Sequence, residues 1–182
     1  MRYLFLILVL ILNGCVITNT PGFYNGYKKL SVTEKENVIF LEDSSSISNL
    51  SNEGRVVAIN GKQLKTYSKE VDSLLIYRWG PHCSAESCIL ISACQEYCNS
   101  KNYKLAVVAE YYDMQIMYGQ NTADLPILIP NHKYYGKYYA NSLNKKFTED
   151  LLVETNQKYD PANGRFLLLS RGKIVRQIKE LY

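Results

Sequence analysis

Two short apolar runs bracket a helix-like segment, and this alternation constrains the fold more than any other feature. Leu74–Trp79 (LLIYRW) and Lys104–Tyr112 (KLAVVAEYY) each read as a strand buried on both faces. Between them, Ser84–Asn99 has the spacing of a helix of about four turns. A strand, a helix and a second buried strand make a crossover unit, which places parallel strands in one covered sheet. The flanks extend the pattern. Val38–Leu41 and Arg55–Ile59 read as short strands, Asn60-Gly61 as a turn and Gln63–Val71 as a short helix. Ser44-Ser45-Ser46 marks a loop. A short helical segment falls near Met114–Tyr118, Leu125–Ile129 reads as a further strand, and Tyr134–Glu154 as helical in its later half. Phe166–Leu169 and Lys173–Ile178 close the chain as a hairpin around Arg171-Gly172. The expected class is α/β, three layers around a central mixed sheet with a C-terminal β-hairpin.

The N-terminus reads as an address. Met1-Arg2 precedes an unbroken apolar run, Tyr3–Leu12, half the ~20 residues that a bilayer-spanning helix needs. It has the form of a secretory signal peptide. Leu12-Asn13-Gly14-Cys15 resembles the lipobox of bacterial lipoproteins. That resemblance implies cleavage after residue 14, lipidation of Cys15 and attachment to the membrane through the acyl chains. The organisation expected is a signal peptide over 1–14, the lipidated Cys15 with a tether over 15–35, and one domain over 36–182. Asn, Thr, Gly and Pro dominate the start of that tether, VITNTPGFYNGY. Val16 is not the Asp that retains some lipoproteins in the inner membrane, which favours the periplasmic side of an outer membrane. Such an oxidising envelope compartment sustains disulfides. Cleavage and acylation leave four of the five cysteines.

Charge excludes another class. With 21 Lys+Arg against 17 Asp+Glu, the net charge is +4 and the basic residues are scattered, so nucleic acid is not an expected partner. No Gly-rich phosphate loop, paired-carboxylate site or Ser/His/Asp arrangement is visible. No cofactor and no metal site are expected.

The chemistry concentrates in Leu74–Cys98, LLIYRWGPHCSAESCILISACQEYC. The strand ends in Trp79-Gly80-Pro81-His82-Cys83 and a helix is expected to follow at once. That puts Cys83 at a helix N-terminus, where unpaired N–H groups favour a thiolate, beside His82 as a source of positive charge. Trp79, Pro81, His82 and Cys83 resemble the active-site entry of the thioredoxin superfamily. Leu125–Leu128 resembles the extra central strand of its membrane-anchored, extracytoplasmic thiol–disulfide oxidoreductases, and Phe166–Lys173 its closing hairpin. The resemblance spans roughly Gln63–Leu181. It implies a thioredoxin-like fold, with Cys83 attacking a protein disulfide and Cys88 resolving the mixed disulfide.

The chain departs from that superfamily in three places. The second Cys, usually three residues after the first, is replaced by Glu86, and Cys88 follows at five. On a regular helix those two positions lie ~500° apart, so pairing them requires the first turn to unwind. A similar spacing occurs in peroxiredoxins resembling bacterioferritin-comigratory protein, and there Arg165 corresponds to the active-site Arg. Gly80 and Ile76 stand where those enzymes carry Thr or Ser and Pro. Gly164 and Arg165 occupy the place of the superfamily's cis-Pro. Three functions therefore stand side by side: thiol–disulfide exchange, peroxide reduction through the same pair, and a redox-inactive binding or scaffold lipoprotein stapled by Cys83–Cys88.

Cys94 and Cys98, at i and i+4, share a helix face. They read either as buried thiols in the core or as a second disulfide. His132 reads as a surface-loop residue. Tyr134, Tyr135, Tyr138 and Tyr139 read as two i, i+4 pairs on one helix. Tyr111, Tyr112 and Asp113 read as rim residues at the carboxyl edge of a strand.

Overall fold

The computed structural model describes residues 21–83, 88–153 and 164–181. Seven strands form one mixed sheet: β1 (Val38–Phe40), β2 (Val56–Ile59), β3 (Ser73–Trp79), β4 (Lys104–Ala109), β5 (Ile127–Pro130), β6 (Phe166–Ser170) and β7 (Lys173–Ile178). Their order is β1-β2-β5-β4-β3-β6-β7. The first five run parallel, and β6 joins β3 antiparallel, with Leu75 opposite Leu168. The turn between β6 and β7 falls on Arg171 and Gly172, whose φ angles of 46° and 80° suit a two-residue hairpin. The molecule is α/β, three-layered, with a C-terminal hairpin.

Alternation along the central strands builds the layers. In β3, Leu75, Tyr77 and Trp79 enter one core and Leu74 and Ile76 the other; in β4, Leu105 and Val107 oppose Ala106 and Val108 in the same way. The first core is covered by α3 (Ile91–Lys101) and α4 (Met114–Gln120), through Ile91, Cys94, Cys98, Met114 and Met117. The second is covered by α2 (Gly61–Glu70) and α6 (Ala140–Leu152), through Leu64, Tyr67, Phe147 and Leu151. Two shorter helices complete the set among the described residues, α1 (Val32–Glu36) and α5 (His132–Tyr135). No described helix is long and apolar enough to cross a membrane.

Four expectations are corrected. Asn60-Gly61 is not a free turn but the start of α2: the Asn60 side chain accepts from the Gln63 N–H while Gln63 returns a bond to the Asn60 N–H. The helical stretch expected from Tyr134 is broken at Gly136 (φ 61°), which separates α5 from α6 and dissolves the paired-tyrosine pattern. His132 is not a surface residue; it is 2% exposed. The segment expected to be a tether up to residue 35 is folded from Gly22 onward. Tyr24 bridges Tyr139, Leu30 enters the first core, and Ser31 and Glu34 form a capping box on α1.

Candidate redox site

β3 leads directly into a β-turn, Gly80-Pro81-His82-Cys83, closed by the Cys83 N–H donating to the Gly80 carbonyl at 2.9 Å. Pro81 in the second position presets the φ that such a turn needs. Cys83 and Cys88 are joined by a disulfide with their Cα atoms 5.9 Å apart, and both are half-buried. Ser84–Ser87 lie outside the described residues. The expected helix from Ser84 falls partly on those residues; its described part, α3, begins at Ile91, eight residues after Cys83. A helix dipole acts within about one turn, so the α3 N-terminus is not the source of stabilisation for a Cys83 thiolate.

Tyr77 accounts for the late start of α3. Its hydroxyl donates to the Ile89 carbonyl at 2.9 Å and accepts the Ile89 N–H at 3.2 Å. Both backbone groups of the residue after Cys88 are therefore held in a non-helical strand-edge position. Tyr77 is fully buried and stacks on Phe166 at 4.6 Å, so the clamp is rigid.

The charges around the disulfide come from other elements. A Cβ placed on Gly80 would lie 3.6 Å from the Cys83 Cβ, 3.6 Å from Arg165 Nη1 and 3.5 Å from Glu110 Oε2. Gly80 is buried, and these three groups meet around it. Glu110, just beyond β4, receives Arg78 Nη2 at 3.3 Å and lies 4.0 Å from Arg165 Nη1. Arg165 comes from the approach to β6, where Arg78 N–H donates to its carbonyl at 2.8 Å. The place expected of a cis-Pro is filled by Gly164, at φ 130°, with no room for a Cβ against the Ile178 backbone. No cis peptide occurs among the described residues.

On the other side of the turn, His82 Nε2 is 2.7 Å from Asp113 Oδ2. The His82 ring lies parallel to Tyr111, and its backbone N–H donates to the Tyr111 hydroxyl at 3.0 Å. Asp113 also accepts the Ile116 N–H and so caps α4. Tyr111 and Asp113, read as rim residues from the sequence, meet His82; Tyr112 turns inward and is buried.

Trp79 is buried in the first core and Pro81 is buried beneath the turn, so both shape the site without forming its open face. Cys94 and Cys98 are free thiols, both fully buried on α3. Burial pushes each thiol up to about 12, with the neighbouring Cys98 adding to the effect on Cys94. They are inert core residues rather than a second disulfide. Cys15 lies outside the described residues. Among those described, no group of three His, Cys, Asp or Glu side chains gathers as a metal site.

Sequence reasoning missed Arg78, Glu110 and the Tyr77 clamp. A charged residue within or directly after a buried strand, as Arg78 and Glu110 are, was the available signal for the first two. A cavity of about 470 Å³ lies beside Arg78, walled by Asn141, Asn144, Lys145, Thr148 and Leu152 of α6. Asn144 Nδ2 donates to the Glu110 carbonyl at 3.1 Å, tying this groove to the ionic cluster. Comparison of the chain with protein-family models, curated proteins and solved structures finds no match.

Proposed function

We propose that the chain is an envelope lipoprotein whose thioredoxin-like domain exchanges thiols and disulfides through Cys83, with Cys88 as the resolving residue. The observation that carries this reading is the half-buried Cys83–Cys88 disulfide at the carboxyl edge of β3, flanked by Arg165 and His82. Both flanking side chains favour a negative sulfur: Arg165 permanently, His82 when protonated. In the reduced protein the Cys83 thiolate attacks one sulfur of a substrate disulfide. A mixed disulfide forms and the other substrate sulfur leaves as a thiolate. The Cys88 thiolate then attacks Cys83 Sγ, releasing the second substrate sulfur and restoring the intramolecular bond. The substrate gains two electrons and the protein dithiol loses them; a dithiol partner resets the pair by the reverse exchange.

The groove along α6 begins at Arg78, two residues before Gly80, and would offer an extended peptide a bed near the site. Cys83→Ser is expected to abolish reduction of a model protein disulfide while the far-ultraviolet spectrum is unchanged. Cys88→Ser should trap the mixed disulfide. Full turnover by Cys83→Ser would sink the proposal and leave the bond as a staple. The position of Arg165 also favours a second reading, in which the Cys83 thiolate takes one oxygen from a peroxide, releasing water or alcohol. Cys88 then condenses with the sulfenic acid and expels water. Peroxide consumption lost in both Cys83→Ser and Arg165→Leu would select that chemistry.

A further inference from the structure

The segments Phe23–Lys29 (FYNGYKK) and Lys133–Tyr139 (KYYGKYY) are far apart in sequence and carry, between them, seven aromatic residues, four lysines and no acid. The fold brings them together. Tyr24 bridges Tyr139, the Asn25 N–H donates to the Tyr138 carbonyl at 2.8 Å, and the Ala140 N–H donates to the Phe23 carbonyl at 3.1 Å. Phe23, Tyr24 and Tyr139 form a cluster with centroids 5.0–5.6 Å apart, and all three are exposed, with the exposed Tyr138 beside Tyr24. These rings pack on one another instead of entering either core. Lys28 and Lys29 lie against Tyr24 and Tyr138, and Lys133 and Lys137 of the same two segments are exposed as well. Lys28 lies over the Tyr138 ring at 4.2 Å.

Inside this patch is a cavity of about 330 Å³ lined by Tyr24, Asn25, Gly26, Lys28, Lys29 and Tyr138. Asn25 is 2% exposed, and its Nδ2 has no hydrogen-bond partner although its Oδ1 accepts the Tyr27 N–H. A buried amide donor left unpaired at the wall of a cavity costs stability unless something fills it. Lys28 and Lys29 line the same cavity, and with the unpaired amide donor they suit an anion as the group that fills it.

We propose that this aromatic and lysine-rich face seats on an anionic lipid bilayer, with a headgroup phosphate in the Asn25–Lys28–Lys29 cavity. Amphipathic tyrosines ringed by lysines are the side chains that settle at the headgroup level of a bilayer. The chain also enters the domain here. Val16–Gly22 separates Cys15 from Phe23, a reach of about 28 Å at full stretch, so an acyl anchor on Cys15 would hold the patch within range of the headgroups. That last point rests on the lipoprotein reading; the composition and geometry of the patch do not. Gly22 packs against Tyr111, which touches His82, so docking through this face would set the redox site close to the membrane surface.

The test uses the chain from residue 15 onward with Cys15→Ser, which holds every described strand and both cores. Flotation is measured with vesicles of phosphatidylethanolamine and phosphatidylglycerol, and with vesicles of phosphatidylcholine. The unlipidated protein should float with the anionic vesicles and much less with the neutral ones. Reversal of each lysine, as in Lys28→Glu and Lys29→Glu, should weaken partitioning by more than the about fivefold expected for loss of one basic charge. The Tyr24→Ser, Tyr139→Ser pair should also weaken it, whereas Lys173→Glu on β7 should not. Equal flotation on both vesicle types, none at all, or indifference to the Lys28 and Lys29 reversals in protein that keeps its melting temperature would overturn the proposal. So would glycerol phosphate in solution binding as tightly as the vesicles do. Acylation of Cys15, read from the mass of the native protein, reports separately on the lipoprotein reading.

Discussion

His132 places its imidazole among Tyr27, Phe40, Tyr112 and Tyr138, with ring centroids 4.3 to 6.3 Å away. Its polar surroundings in sequence, Pro130-Asn131-His132-Lys133, suggest a loop. The misleading residue is Asn131, whose side chain is spent on capping α5 by accepting the Lys133 and Tyr134 N–H groups. That cap turns the next side chain inward. Burial, aided by the neighbouring Lys133 charge, holds the imidazole down to about 4, so it is neutral in the folded protein. An unfolded His titrates near 6.5. The folded-state value is the lower one, so stability is complete above about pH 6.5 and is lost as pH falls toward 4. The loss approaches about 3 kcal/mol at the acid end. Urea midpoints at pH 7, 5.5 and 4.5 should trace this slope, and His132→Phe should flatten it. A slope unchanged in that variant would mean that other groups carry the acid sensitivity.

Among the elements, the strands were the most legible and the helix starts the least. β3, β4 and β6 follow from apolar runs whose burial on both faces admits little else, and the exposed edge strand β7 from the hairpin turn at Arg171-Gly172. α3 begins at Ile91 because the residues just before it are held by a tertiary contact, the Tyr77 hydroxyl gripping both backbone groups of Ile89 from a strand 12 residues earlier. The same cause governs Asn60-Gly61. A dipeptide that commonly makes a turn here caps a helix, and its glycine is demanded by a neighbour rather than by φ. A Cβ on Gly61 would run into the Phe147 carbonyl, the Leu151 nitrogen and the Asp150 side chain, at the crossing of α2 with α6. Gly61→Ala would raise helix propensity by about 1 kcal/mol. Backbone of a packed helix yields less readily than a side-chain tip, and forcing α6 away costs about 1–3 kcal/mol. The collision should prevail, lowering the melting temperature by several degrees in a thermal scan. A stabilised Gly61→Ala protein would show that α2 and α6 can slide apart at little cost.

At the scale of the whole molecule, the class could be read from the order of strand and helix signals, but the sheet order could not. Nothing local says that β5 inserts between β2 and β4; that depends on which strands find partners after the chain has collapsed. The cysteines divide along the same lines. Cys94 and Cys98 lie on the core-facing side of α3, as their spacing allows, and burial leaves them as neutral thiols. Cys83 and Cys88 sit half-buried at the carboxyl edge, joined in the bond that a regular helix over both positions would not allow. Closing so short a loop contributes about 2 kcal/mol to stability. The fold has two packed cores besides, so the reduced protein is expected to remain native. Thiol counting by mass after alkylation then has a definite pattern. With Cys15 acylated, the native oxidised protein should take up no label and the native reduced protein two, on Cys83 and Cys88; a free Cys15 adds one to each. Denaturation with reductant should expose Cys94 and Cys98 as well, giving four when Cys15 is acylated and five when it is free. Labelling of Cys94 or Cys98 in the native reduced protein would show that losing the disulfide opens the first core, and the pair would then act as a structural lock on α3 rather than as a detachable exchange site.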